Sequence, residues 1–172
     1  MIILLTGLPG MGKTTVLEKF IQKYGEDCFW ILSREIRDGS QKRVGFEAIL
    51  SNGEKGIFAH KEKILSKYAV GDYQVDLEMI DKLFTVNILS ELKEPRRLLI
   101  VDEIGRMEML SERFVQAIDA LFEANVSVLA TIRQGDSWAE KYKTHPGVTV
   151  IEVTEQNRER LPEELVEAFL ET

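Results

Sequence analysis

Residues Thr6–Leu17 read TGLPGMGKTTVL, with three glycines leading into a lysine and two threonines. Gly7 to Thr14 fits G-x-x-x-x-G-K-[ST] without a gap, the pattern of a loop that cradles phosphates. Such a loop needs a strand before it and a helix after it. Ile2 to Leu5 is a continuous apolar run of strand length. Beyond the loop, Val16, Leu17, Phe20, Ile21 and Tyr24 recur at helical spacing, and Gly25 supplies a stop. Gly7, Gly10 and Gly12 allow the backbone to turn its N–H groups inward, and the helix N-terminus adds donors and a dipole. Leu8, Pro9 and Met11 complete the loop, Pro9 stiffening it. Lys13 reaches the β- and γ-phosphates as a point charge, and the Thr14 hydroxyl suits Mg²⁺.

A second constellation, LLIVDEIGRME, runs from Leu98 to Glu108. An acid at the end of a buried strand costs desolvation energy unless a cation faces it. Asp102 fits the Walker-B role, sharing the Mg²⁺ of Thr14, and Glu103 stands where it can orient or deprotonate an attacking water. Ile104, Gly105 and Arg106 continue this wall of the expected nucleotide site. Charge spreading over the γ-phosphoryl oxygens asks for a cation beyond Lys13 and the metal. Arg106, Arg133 and Arg158 each follow the carboxyl end of an expected strand, and Arg37 and Arg43 flank a hairpin. Arg106 ranks first because it is nearest to Glu103 in sequence. His60 and His145 read as surface or loop residues, no serine sits in a nucleophile elbow, and Cys and His are too few for zinc. Trp30 and Trp138 could stack on a base, although core packing is the commoner use of such residues.

The rest of the chain alternates strands with amphipathic helices. CFWILSR (28–34) is a strand, and 43–60 is an antiparallel hairpin turning at Asn52-Gly53, over or beside the main sheet. A helix is expected from Asp76 to Glu94, striped by Leu77, Ile80, Leu83, Phe84, Ile88 and Leu92, with Pro95 ending it. Leu98 to Val101 is a strand, and Ser111 caps a helix that turns Phe114, Val115, Ile118, Leu121 and Phe122 inward. Strands at 126–132 and 148–154 follow, then a helix from Pro162 burying Leu165, Val166, Phe169 and Leu170. This order implies an α/β fold with a mainly parallel sheet covered on both faces and ligands at the carboxyl ends of its strands.

At 172 residues the chain is expected to form a single domain, 1–172, with no repeat and no linker. Lys and Arg number 22 against 29 Asp and Glu, a net charge of −7, which disfavours nucleic acid as a partner. Cys28 is the lone cysteine, so no internal disulfide forms, and a cytoplasmic location is expected. The opening MIILLT is too short and too weakly flanked for a signal segment or membrane span. No protein partner is legible.

Together these residues resemble the small P-loop nucleoside-triphosphatases, called cancer-related nucleoside-triphosphatases for their human member. TGLPGMGKTT is similar to the family's loop and VDEIGRMEML to its D-E-I-G-x-M-E segment. Glu35, Arg37, Arg43, Gly45 and Phe46 resemble its E-x-R…R-x-G-F element, and VGDYQVD (70–76) and TEQNR (154–158) also look familial. The resemblance implies a three-layer P-loop NTPase fold with a recombinase-like sheet. It further implies slow, Mg²⁺-dependent hydrolysis of ATP, GTP and other nucleoside triphosphates with little choice of base. A small-molecule or nucleoside phosphotransferase on the same scaffold is the alternative, with the 43–60 hairpin as its lid. A switch GTPase would need N-K-x-D or T-K-x-D, which the sequence lacks although Asp102 to Gly105 fits D-x-x-G. A nucleic-acid motor is disfavoured by charge.

Overall fold

The computed structural model describes residues 1–170, and Leu170's side chain, expected to be buried, lies outside the described side chains. Strand β1 (Ile2–Thr6) leads through the glycine loop into helix α1 (Lys13–Tyr24), as the loop pattern requires. β1 alternates faces: Ile2 and Leu4 enter one apolar cluster, Ile3 and Leu5 the other. A strand buried on both sides must be covered by helices on both sides, and it is.

Five strands form a parallel core, and four more extend it. They are β1, β2 (Cys28–Arg37), β3 (Arg43–Leu50), β4 (Lys55–His60), β5 (Ala69–Val70), β6 (Tyr73–Val75), β7 (Leu98–Ile104), β8 (Val128–Ile132) and β9 (Val148–Glu152). Their order across one open sheet is β5-β6-β4-β3-β2-β7-β8-β1-β9. β2, β7, β8, β1 and β9 run parallel, and β3 to β6 pair antiparallel at the β2 edge. The hairpin therefore continues the main sheet, beside it and not over it. Its connection spans residues 51–54, with Gly53 at φ 88° and its N–H bonded to the Leu50 carbonyl at 3.0 Å.

The expected long helix is three segments in one run: α2 (Leu77–Ile80), a π-helical turn (Asp81–Thr85) and α3 (Val86–Lys93). Asp76 caps it by accepting the Met79 N–H at 3.0 Å. Within the π turn Asp81 accepts the hydroxyls of Ser111 at 2.5 Å and Thr85 at 3.2 Å. α4 (Glu112–Glu123) starts at its expected cap, with Ser111 Oγ accepting the Phe114 N–H at 3.2 Å. A helix that the sequence pattern does not announce, α5 (Ser137–Lys143), turns Ala139 and Tyr142 into the core. α6 (Leu161–Leu170) closes the described chain.

α1 and α6 cover one face of the sheet through Val16, Leu17, Phe20, Leu161 and Leu165. The other helices cover the opposite face through Ile80, Phe84, Ile88, Phe114, Ile118 and Tyr142. Trp30 and Trp138 pack against these clusters, as core readings require. His60 departs from expectation. It is buried, with Nδ1 accepting the N–H groups of Glu62 and Lys63 at 3.0 Å each, because β4 ends inside the extended sheet. Among the described residues no helix is long and apolar enough to cross a membrane.

Candidate nucleotide site

The strand order decides which side chains meet. β8 lies between β1 and β7, so the glycine loop and the acidic strand end are separated by one strand width. Gly7, Gly10 and Gly12 hold φ values of 137°, 82° and 98°, the left-handed region that favours glycine, and the Met11 N–H closes the loop on the Leu8 carbonyl at 3.3 Å. A Cβ on Gly7 would stand 2.8 Å from the Val153 carbonyl oxygen, so backbone crowding also excludes a side chain there. Lys13 Nζ donates to the carbonyls of Gly7 at 2.8 Å and Leu8 at 3.1 Å. Pro9 and Leu8 are exposed, whereas Met11 packs toward the α1 face of the sheet.

Thr14 Oγ donates to Asp102 Oδ2 at 2.8 Å, joining two motifs 88 residues apart. Thr131, near the end of β8, donates to the other carboxylate oxygen at 2.5 Å, and Ser33 Oγ donates to the Asp102 carbonyl at 2.6 Å. Burial pushes the Asp102 carboxyl up to about 6; the neighbouring Glu103 charge pushes the same way, while the two hydroxyls and Lys13 oppose it. Glu103 is also raised by burial, with Lys13 and Arg133 opposing. Burial lowers Lys13, the Glu103 and Asp102 charges oppose that, and Arg133 reinforces it. Lys13, Asp102, Glu103 and Arg133 therefore share one electrostatic cluster. β7 extends to Ile104, three residues past the expected end, so both acids lie within the strand.

Arg106 is not in that cluster. Its guanidinium is half exposed and forks onto Asp136, with Nε 2.8 Å from Oδ2. After β7 the side chain reaches Asp136, an acid that Arg133 shares. Ile104 is fully buried in the apolar core, and its carbonyl accepts the Arg133 N–H at 3.4 Å. Arg133, just past β8, sits 3.0 Å from Asp136 Oδ2 through Nε, yet off line for a hydrogen bond, so that buried N–H lacks an acceptor. Arg158 lies against Gly12 on the other flank of the loop. Arg37 and Arg43 both bind Glu35, Arg43 at 2.9 Å, on the antiparallel extension.

Two further residues escape sequence reasoning as site components. Thr131 carries a faint signal, a polar residue in an otherwise apolar strand, but its partner is visible only from the strand order. Glu108, part of the acidic motif, is buried beside Gly105. A Cβ on Gly105 would meet Glu103 Oε1 at 2.6 Å and Glu108 Oε2 at 2.8 Å, so a side chain there would have to displace two carboxyls. Burial and then the Glu103 charge raise Glu108 well above the ordinary value of 4.5, against backbone hydrogen bonds from Glu108 and Gly105. An acid raised on folding stabilises the fold below its unfolded value, and that contribution is lost as pH rises through its folded value. Glu108→Gln removes the loss. Its melting temperature is expected to climb relative to the parent chain as pH rises above the ordinary carboxylate range, and a constant difference would refute this assignment.

Thr14 and Asp102 offer two hard oxygen ligands side by side, and a raised buried carboxylate gains from a cation; the donor set suits Mg²⁺. The family description NTPase matches residues 2–166. The chain is 37% identical over 165 residues to the nucleoside-triphosphatase THEP1 of Thermotoga maritima, covering 95% of this chain and 92% of that protein. It is 34% identical to the nucleoside-triphosphatase THEP1 of Aquifex aeolicus, over 95% of this chain and 96% of that one. The crystal structure of THEP1 from Aquifex aeolicus superposes at a TM-score of 0.86 with 32% identity over 99% of both chains. The solution structure of a human cancer-related nucleoside triphosphatase superposes at 0.79 with 26% identity, over 99% of this chain and 98% of that one.

Proposed function

Because this chain belongs to the NTPase family and is a nucleoside-triphosphatase, we propose that residues 1–172 form one catalytic domain with broad substrate range. It hydrolyses ATP, GTP and other nucleoside triphosphates to the diphosphate and phosphate, with Mg²⁺ and low base selectivity. The Thr14–Asp102 hydrogen bond at 2.8 Å carries this reading, because it brings the loop and the acidic strand into one site. Backbone N–H groups of the glycine loop and the α1 N-terminus hold the phosphates, and Lys13 exchanges its loop carbonyls for phosphate oxygens. Glu103 takes a proton from the attacking water as its oxygen bonds to the γ-phosphorus. The bond from that phosphorus to the β–γ bridging oxygen breaks, and the diphosphate keeps the electron pair. Arg133 takes the charge-stabilising role that sequence proximity suggests for Arg106. Thr14 and Asp102 would hold Mg²⁺, which when bound neutralises charge on the β- and γ-oxygens.

A panel of ATP, GTP, CTP and UTP, with and without nucleoside acceptors, tests the reading when phosphate release and phosphorylated products are followed together. Phosphate release from all four is expected, unchanged by acceptors. Phosphorylated acceptor with suppressed phosphate release would replace hydrolysis by phosphotransfer. In the same assay Thr14→Ala is expected to raise the half-saturating Mg²⁺ concentration by about tenfold or more. An unmoved metal titration would remove Thr14 from the ligand set.

A further inference from the structure

The glycine loop has two unlike flanks. β7 and β8 lie on one side of β1 and bring Asp102, Glu103 and Arg133 to the loop; β9 lies on the other side. There the chain leaves β9 at Val153, whose N–H donates to the Thr6 carbonyl at 2.8 Å. It then enters a turn pinned by Asn157, which accepts the Thr154 N–H and donates to the Glu152 carbonyl, both at 2.8 Å. That turn delivers Arg158 and Glu159 to a shallow cleft completed by Gly12, Thr15, Val16 and Lys19 of the loop and α1. Arg158 Cδ stands 3.5 Å from where a Cβ on Gly12 would be, so its stem lies along the last loop glycine.

A nucleoside triphosphate has two chemically different ends. The γ end belongs with the acids and cations of the β7–β8 flank, so the ester end leaves toward the β9 flank. We propose that the cleft between α1 and the 154–160 turn receives the sugar and base, with the planar Arg158 guanidinium as the platform on which the base stacks. The proposal rests on the nucleoside-triphosphatase reading and names the nucleoside subsite of that same site. Among the described residues lining the cleft, the one carboxylate, Glu159, is committed to cations, Lys19 at 2.5 Å and Arg158 Nε at 3.7 Å. It is therefore not left to read a base edge. A flat cation accepts the π face of any purine or pyrimidine, so recognition by face gives affinity without selectivity.

The test uses the full chain with Arg158→Ala and Arg158→Lys. KM is measured for ATP, GTP, CTP and UTP, together with the inhibition constant of inorganic tripolyphosphate, which carries three phosphates and no nucleoside. Arg158→Ala is expected to raise KM for all four nucleotides by about tenfold or more. The tripolyphosphate constant should move by less than about threefold. Arg158→Lys keeps the charge, loses the plane, and is expected to behave like the alanine variant. Unchanged KM values, an equal loss for tripolyphosphate, or full recovery by lysine would each overturn the stacking platform. A parent chain that neither hydrolyses nucleotides nor responds to tripolyphosphate would instead overturn the nucleoside-triphosphatase reading.

Discussion

Glu103→Gln is expected to lower single-turnover phosphate release by about two to four orders of magnitude, the usual range for a general base, while nucleotide still binds. The glutamine keeps the side chain's size and its place beside Gly105, and removes only its basicity. Two opposed influences suit Glu103 to proton removal. Burial raises its proton affinity, while the Lys13 and Arg133 charges oppose that rise. Removing its negative charge also removes a repulsion toward the incoming phosphates, so equilibrium binding should be equal or tighter. Rapid-quench measurement of one turnover separates chemistry from product release, and a binding titration with the same nucleotide supplies the affinity. Unchanged chemistry would leave proton removal to solvent. Weakened binding with unchanged chemistry would make Glu103 part of the phosphate cradle.

What the sequence makes legible follows the reach of each physical rule. The glycine loop is local: three glycines, a lysine and a threonine in a fixed spacing between an apolar run and an amphipathic helix. The structure gives those glycines the positive φ values that such a loop needs. The alternation of strands and helices is local too, and it yields the layered parallel sheet. The order of strands is not local. Nothing in VSVLATI says that this strand inserts between the loop strand and the acidic strand, yet that insertion brings Thr131 to Asp102 and Arg133 to Lys13. Ranking Arg106 first among the arginines takes distance along the chain as a proxy for distance in space. In space the Arg106 side chain meets Asp136, while Arg133 stands with Lys13 and Glu103. A surface reading of His60 fails for a related reason, since the hairpin joins the sheet edge and leaves its last residue buried. α5 escapes notice because seven residues, SWAEKYK, bury only Ala139 and Tyr142 and leave little periodicity to detect.

Arg133→Ala is expected to reduce turnover by about three orders of magnitude, the lower end of what an arginine aimed at a transferring phosphoryl group contributes. Its location supports this size of effect. The residue follows β8 directly, between the two motif strands, and its charge is felt by both Lys13 and Glu103. Its buried Nε–H has no aligned acceptor, although Asp136 lies 3.0 Å away. A donor left in that condition gains most when an oxygen acquires charge in front of it, so its contribution falls on the transition state more than on binding. The loss should therefore appear in kcat, with KM changed only a few-fold. Arg106→Ala is the control that separates position from charge. It removes the same guanidinium from the same acid, Asp136, but on the solvent side, where an ion pair contributes little. Turnover of that variant should stay within about threefold of the parent chain. If Arg106→Ala inactivates the enzyme and Arg133→Ala does not, the arginine swings inward from its ion pair when nucleotide binds. The assignment drawn from strand order would then be wrong.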